Sequence, residues 1–307
     1  MNHLKIGCFM LLLVFIPSSI SSVLVLGGGV EVDIPSNGTI VPQSELMIFQ
    51  YPFKSRVLDL NLISHQAVDQ LSNEGFKAIL TTAPCWNLSH DDQRAYKDFI
   101  DYASAKGIKV YGVTLEDNVF ISRDDYIYYT PKFFESVIKL NKNFGFNFVG
   151  YIVDIEPHTL PDWDINQELY LKRLIEISST LHVVANAYSA TFSMTLPYWY
   201  QESVLKYDSR GLNLFDTDFL VLMMYYGTAG HILEKIDELM VDLITPSTIA
   251  ININPETPDP HISYEDFRGL VEELHFFPSK YPQLIGLSAY ESSVIVTTTL
   301  PQLHDQV

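Results

Sequence analysis

The sequence predicts an α/β protein, a single-domain (β/α)8 TIM barrel, and three observations carry that expectation. Short apolar runs with strand character recur along the chain, and amphipathic stretches of helical period separate most of them. Polar and charged side chains collect just beyond the ends of several runs. Strands that alternate with helices pair in parallel, and closing eight of them into a barrel removes the edges that the competing arrangement, an open doubly wound sheet, would leave exposed. The chain has 307 residues, 47% of them hydrophobic, enough for one barrel of the usual size of about 250 residues.

Residues 1–22 carry Lys5, an apolar run from Phe9 to Ile16, and then four serines between Ser18 and Ser22. This order of charged, apolar and small residues is that of a secretory signal, and the run is too short to span a bilayer. Residues 23–44 are expected to be an extended N-terminal segment. Its glycine cluster at 27–29 follows a strand-like run, but Pro35 and Gly38 stand where a phosphate-binding helix would have to begin. The barrel is assigned to residues 45–307. Its expected strands are Leu46 to Tyr51, Ala78 to Pro84, Val110 to Leu115, Phe148 to Glu156, Val183 to Tyr188, Phe219 to Tyr225, Ile249 to Asn254 and Leu284 to Tyr290. The helical patterns between them are Ser64 to Glu74, Asp91 to Lys106, Pro131 to Phe144, Asn166 to Leu181, Ile232 to Val241 and Tyr264 to His275, with a less regular link between the fifth and sixth strands.

A formal charge of −18 argues against nucleic acid and anionic membranes as partners. Cys8 lies within the expected signal and Cys85 is otherwise alone, so the mature chain forms no internal disulfide, and Cys85 reads as a small buried hydrophobe. Asn37-Gly-Thr and Asn87-Leu-Ser fit the glycosylation sequon. The histidines, among them His158, His182, His231 and His261, show no compact ligand spacing, so neither a metal nor a cofactor is expected.

The fourth strand is the most informative. Asp154 and Glu156 lie two residues apart and therefore share a face at the carboxyl end of an apolar strand, the barrel rim where chemistry collects. Neighbouring carboxyls in a poorly solvated pocket resist ionising together, and the one that keeps its proton can act as a general acid near neutral pH. Acids just before a helix are also favoured by its dipole, and Pro157 suits such a turn. On the seventh strand Asn252, Asn254 and Glu256 alternate with Ile249, Ile251 and Ile253. Tyr225 and Tyr226 close the sixth strand on opposite faces, Tyr290 closes the eighth, and Asn186 falls on the expected fifth. The three tryptophans, Trp86, Trp163 and Trp199, all follow expected strands, and aromatic faces there could form a sugar platform.

Val149 to Glu156 resembles the fourth-strand signature of the chitinase family, D-G-x-D-x-D-x-E, at Gly150, Asp154 and Glu156; Val149 and Ile152 stand where that family has aspartates. Met223 and Tyr225 are similar to its M-x-Y-D element, with Tyr226 in place of the aspartate. The resemblance implies that Glu156 protonates the glycosidic oxygen, that Asp154 positions the substrate acetamide and that Tyr225 hydrogen-bonds it. A second resemblance is to the clan of retaining barrel glycosidases, in which a Glu-Pro pair ends the fourth strand and a nucleophilic glutamate the seventh. It implies that Glu156 is the acid/base and Glu256 the nucleophile, about 5–5.5 Å apart, although Ile155 replaces the usual asparagine. The segment VDIEPHTLPDW with Glu256-Thr257 also resembles uncharacterised exported glycosidase-like barrels.

The reading that follows is a secreted or periplasmic glycoside hydrolase, monomeric, acting on an oligo- or polysaccharide. Glu156, Asp154, Glu256 and Tyr225 are its catalytic candidates, and Trp86, Trp163, Trp199, Asn186, Asn254, Tyr226 and Tyr290 its substrate-binding ones. The alternatives are an acetamide-assisted hydrolase of the chitinase kind and a carbohydrate-binding barrel without catalysis.

Overall fold

The computed structural model describes residues 45–274, 279–290, 292 and 295. The expected signal at 1–22, the extended segment at 23–44 and the sequon at Asn37 lie outside them. The barrel strands are β1 (Glu45–Gln50), β2 (Ala78–Thr82), β3 (Lys109–Thr114), β4 (Gly150–Val153), β5 (Thr191–Pro197), β6 (Phe219–Met223), β7 (Ser247–Asn252) and β8 (Leu284–Tyr290). Each pairs in parallel with the next, and β8 returns to β1 with Glu45 opposite Gly286, closing the barrel. A hairpin, Phe53–Lys54 with Val57–Leu58, follows β1.

The outer layer comprises α1 (His65–Asn73), α2 (His90–Ala105), α3 (Val119–Ser122), α4 (Tyr126–Phe144), α5 (Trp163–Ala187), α6 (Tyr200–Leu205), α7 (Ala229–Met240) and α8 (Tyr264–Leu274). Local chemistry fixes several boundaries. The hydroxyls of Ser64, Ser89 and Thr228 accept N–H bonds from the first turns of α1, α2 and α7, and Gly145 ends α4 in the left-handed region at φ 76°.

Strand alternation divides the apolar residues into two cores. Met47, Phe49, Leu80, Tyr111, Val113, Ile152, Phe219, Val221 and Met223 fill the barrel interior. Leu46, Ile48, Ile79, Val110, Tyr151, Val153, Leu220, Leu222, Ile249 and Ile251 face the helices. The expected parity therefore holds on β4, β6 and β7: Ile152 and Met223 point inward, and so do the residues two steps beyond them.

The expected fifth strand is corrected. Val183–Tyr188 is not a strand but the end of α5 and its cap, and β5 begins three residues later at Thr191. The β-branched HVVANAY segment looks like strand in isolation. Leu174, Ile177, Leu181 and Ala185 nevertheless continue one buried helical face through it, while Val183 stays 67% exposed. Asn186 consequently sits exposed on the last turn of α5, at the end of the barrel opposite the strands' carboxyl ends. Among the described residues no helix is long and apolar enough to cross a membrane.

Candidate active site

A cleft of about 620 Å³ opens at the carboxyl end of the barrel, in the size range of ligand pockets. Four carboxylates line it: Glu116 after β3, Asp154 and Glu156 after β4, and Asp259 on the loop after β7. Three tyrosines face them: Tyr51 just after β1, Tyr225 just after β6 and Tyr290 at the end of β8. Tyr51 and Tyr290 meet with ring centroids 5.9 Å apart, and Tyr290 and Tyr225 with centroids 6.1 Å apart. Phe49, Thr195 and Met223 complete the floor.

The β4 end is built to hold its acids. The Asp154 backbone N–H donates to the Thr114 carbonyl at 3.1 Å, prolonging the pairing with β3 past the last strand residue. Ile155 between the two acids is fully buried on the opposite face, so Asp154 and Glu156 both turn inward. Pro157 then starts a 3-10 turn, Pro157–Thr159, and the Thr159 hydroxyl donates to the Glu156 carbonyl at 2.9 Å.

Asp154 Oδ1 is buried and meets no hydrogen-bond donor within the protein. Burial first, and then the charges of Glu156 and Glu116, hold the Asp154 carboxyl well above the ordinary range. Glu156 is also raised, by burial and then by Asp259. Glu116 stands open to solvent in the mouth, yet the walls around it and the Glu156 charge raise it as well. Burial and Asp154 together keep the Tyr225 phenol protonated far above its ordinary range. The result is a site whose carboxyls favour their protonated forms, Asp154 most strongly, with Glu156 beside it.

Of the expected binding residues, Tyr290 lines the cleft, and Trp86 borders an adjoining groove that shares Tyr51, Phe53 and Glu116 with it. Trp163 and Trp199 do neither. Trp163 is buried, stacks on Tyr200 at 5.5 Å and meets Trp199 edge-on at 6.0 Å. His158 completes this cluster, its Nδ1 2.9 Å from the Tyr200 hydroxyl. These rings brace the turn that carries Glu156, which is a packing role. Tyr226 points outward, where its hydroxyl pairs with that of Tyr198.

Asn254 is buried in the loop after β7. Its backbone N–H donates to Asn252 Oδ1 at 2.9 Å, and its own Oδ1 accepts the Glu256 N–H at 2.9 Å. Glu256 is solvent-exposed and is not among the residues lining the cleft; the same loop presents Thr257, Pro258 and Asp259 instead. Cys85 is corrected too. It is exposed and lines the adjoining groove, because the chain turns outward after Pro84.

Glu116 was not expected, and the backbone gives the reason. Tyr111 and Val113 point into the barrel, so alternation would send Leu115 inward and Glu116 out. Leu115 instead adopts a left-handed φ of 61°, packs with the outer core, and reverses the parity so that Glu116 faces the cleft. No metal-binding group of three or more His, Cys, Asp or Glu occurs among the described residues.

No protein-family model matches the sequence, and no curated protein does. Solved structures match by fold. A GH18 chitinase from Pseudoalteromonas aurantia aligns over 80% of this chain and 94% of its own, at 12% identity and a TM-score of 0.55. A beta-glucuronidase from Bacteroides uniformis aligns over 81% of this chain and 30% of its own, at 13% identity and a TM-score of 0.53. A putative deoxyribose-phosphate aldolase from Toxoplasma gondii aligns over 83% and 91%, at 8% identity and a TM-score of 0.53. The likeness is one of fold. The chain is a TIM barrel with distant structural similarity to glycoside hydrolase barrels, and its chemistry has to be argued from the cleft.

Proposed function

We propose that this barrel is an exported glycoside hydrolase that cleaves the glycosidic bond of a 2-acetamido sugar. The observation that supports this reading is the inward pair Asp154 and Glu156 beside Tyr225 on the floor of the cleft. Glu156, raised but partly solvated, is the general acid. It gives its proton to the glycosidic oxygen as the C1–O bond breaks, while the substrate's acetamide oxygen forms a bond to C1. Asp154 and Tyr225 hold the acetamide in line: a buried carboxyl oxygen without a protein donor suits its N–H, and a protonated phenol suits its oxygen. Water then attacks C1, the acetamide oxygen departs, and the Glu156 carboxylate takes the water's proton. Substrate assistance is preferred to a protein nucleophile because Glu256 lies outside the cleft lining.

Glu156→Gln should lower turnover of a chitooligosaccharide or an aryl N-acetyl-β-glucosaminide by about 10²–10⁴-fold while leaving ground-state binding largely intact. Asp154→Asn and Tyr225→Phe should also be severe, and Glu256→Ala should stay within a few fold of wild type. If Glu256→Ala abolishes turnover and azide restores it, the two-glutamate mechanism replaces this one. If the wild type binds glycans, hydrolyses none, and is unchanged by Glu156→Gln, the barrel is a carbohydrate-binding module.

A further inference from the structure

Beside the cleft runs a groove of about 480 Å³ whose lining differs in character from that of the acidic pocket. Its wall is aromatic. Phe120 and Phe133 meet at 4.9 Å, and Tyr129 lies 6.1 Å from each of them. On the other side Trp86 packs edge-on against Phe53 at 5.4 Å. Val113 and Ala83 also line it, and Cys85 opens to solvent at the groove. The groove is continuous with the cleft through Tyr51, Phe53 and Glu116, which line both. Thr82, Thr114, Glu116 and Asp117 are the polar part of a mostly apolar lining, so a sugar ring there would find fewer partners for its hydroxyls than in the acidic cleft, and each unpaired group costs free energy. A flat apolar ring would instead find aromatic contacts among these side chains, with Arg56 over one face of Trp86 at 5.5 Å and Arg123 over one face of Tyr129 at 4.1 Å.

Resting on the hydrolase reading above, we propose that this groove is the leaving-group subsite and that it takes an aromatic aglycone. The substrate class is then an aryl glycoside rather than an extended polysaccharide. Continuity supports this assignment, since the groove enters the cleft at Glu116, whose carboxyl lies close enough to Glu156 to feel its charge. A group leaving from C1 toward Glu156 would have its oxygen at the acid and its ring in the groove.

The test uses the full chain carrying Glu156→Gln, which removes turnover from the measurement, and compares 4-methylumbelliferyl and methyl N-acetyl-β-glucosaminide by calorimetry. The aryl glycoside should bind at least about tenfold more tightly and should slow N-ethylmaleimide modification of Cys85 several-fold. Cys85→Trp, which fills the groove from its exposed side, should erase the aryl preference and leave methyl glycoside binding unchanged, whereas Cys85→Ser should keep the preference. Equal affinities for the two glycosides, or better protection of Cys85 by N-acetylglucosamine oligomers than by the aryl glycoside, would overturn the proposal and make the groove a further sugar subsite. A Cys85 thiol that stays unmodified in the native protein even at alkaline pH, where burial no longer keeps it protonated, would overturn it as well, because the groove would then be closed. If free 4-methylumbelliferone protects Cys85 while neither glycoside binds or is cleaved, the hydrolase reading fails separately and the groove stands as a site for an aromatic ligand.

Discussion

Asp154 illustrates how one side chain can serve a site at the expense of the fold. Its folded-state pKa lies above its ordinary value of 3.8, because burial and the charges of Glu156 and Glu116 all disfavour the anion. The native state therefore binds this proton more tightly than the unfolded chain does. The stabilising contribution is complete below about pH 3.8 and is lost as the pH rises toward and through the raised value. Asp154→Asn removes the titration. The melting temperature of the variant relative to wild type should thus rise progressively as the pH is raised above about 3.8, with activity falling at every pH; calorimetry over a pH series checks the sign. Glu156 carries the matching prediction for catalysis. A general acid must be protonated, so wild-type kcat/KM should decline as the pH rises through its elevated pKa, and that alkaline limb should persist in Glu256→Ala. The inward placement of Asp154, Glu156 and Tyr225 was legible in the sequence because each sits at a fixed parity from an apolar strand. Glu116 was not legible, since a torsion at Leu115, a residue with no special preference for left-handed backbone, decides where it points.

Among the elements, the loop after β7 owes its shape to the strand before it. The Asn252 amide donates to the Thr257 hydroxyl at 2.7 Å and to the carbonyls of Pro260 and Asp259 at 3.3 and 3.4 Å, while its Oδ1 accepts the Asn254 N–H. These bonds hold the segment that brings Asp259 to the cleft. Asn252 is 1% exposed, and Asn252→Ala leaves the N–H of buried Asn254 without its acceptor and removes the bonds to Thr257, Asp259 and Pro260, so it should cost about 1–3 kcal/mol, measurable by denaturant unfolding. The accompanying change in activity should appear mainly in KM. Of the alternating residues on β7 the sequence named Asn254 as a binding candidate; in the structure Asn252 and Asn254 hold the following loop together, an arrangement no periodicity encodes. The misread fifth strand has a related cause. Within Val183–Tyr188 local composition favours strand, whereas the face that decides the outcome begins many residues earlier, at Tyr170 and Leu171.

For the barrel as a whole, closure depends on a contact that tolerates no side chain. A Cβ on Gly286 would lie 1.9 Å from the Glu45 carbonyl oxygen, at the seam where β8 meets β1 beside a register irregularity. Neither backbone can retreat without breaking the seam, so Gly286→Ala should destabilise the protein by about 1–3 kcal/mol through overpacking. Unfolding midpoints would show it, and the same substitution at Gly269, where a Cβ meets nothing within 4 Å, is the control. The architecture itself was legible because seven of its eight strands are apolar runs bounded by turn residues, and alternation with helices leaves few topologies to choose from.

The seam also sets a timetable. Tyr51, directly after β1, and Tyr290, the last residue of β8, meet in the cleft although more than two hundred residues separate them in the chain. Such a pairing closes a very long loop and is slow to find. Until β8 pairs with β1 the sheet that carries Asp154 and Glu156 is open, and the burial that raises both carboxyls is incomplete. The emergence of the site's raised pKa values should therefore report the final step of folding rather than its beginning.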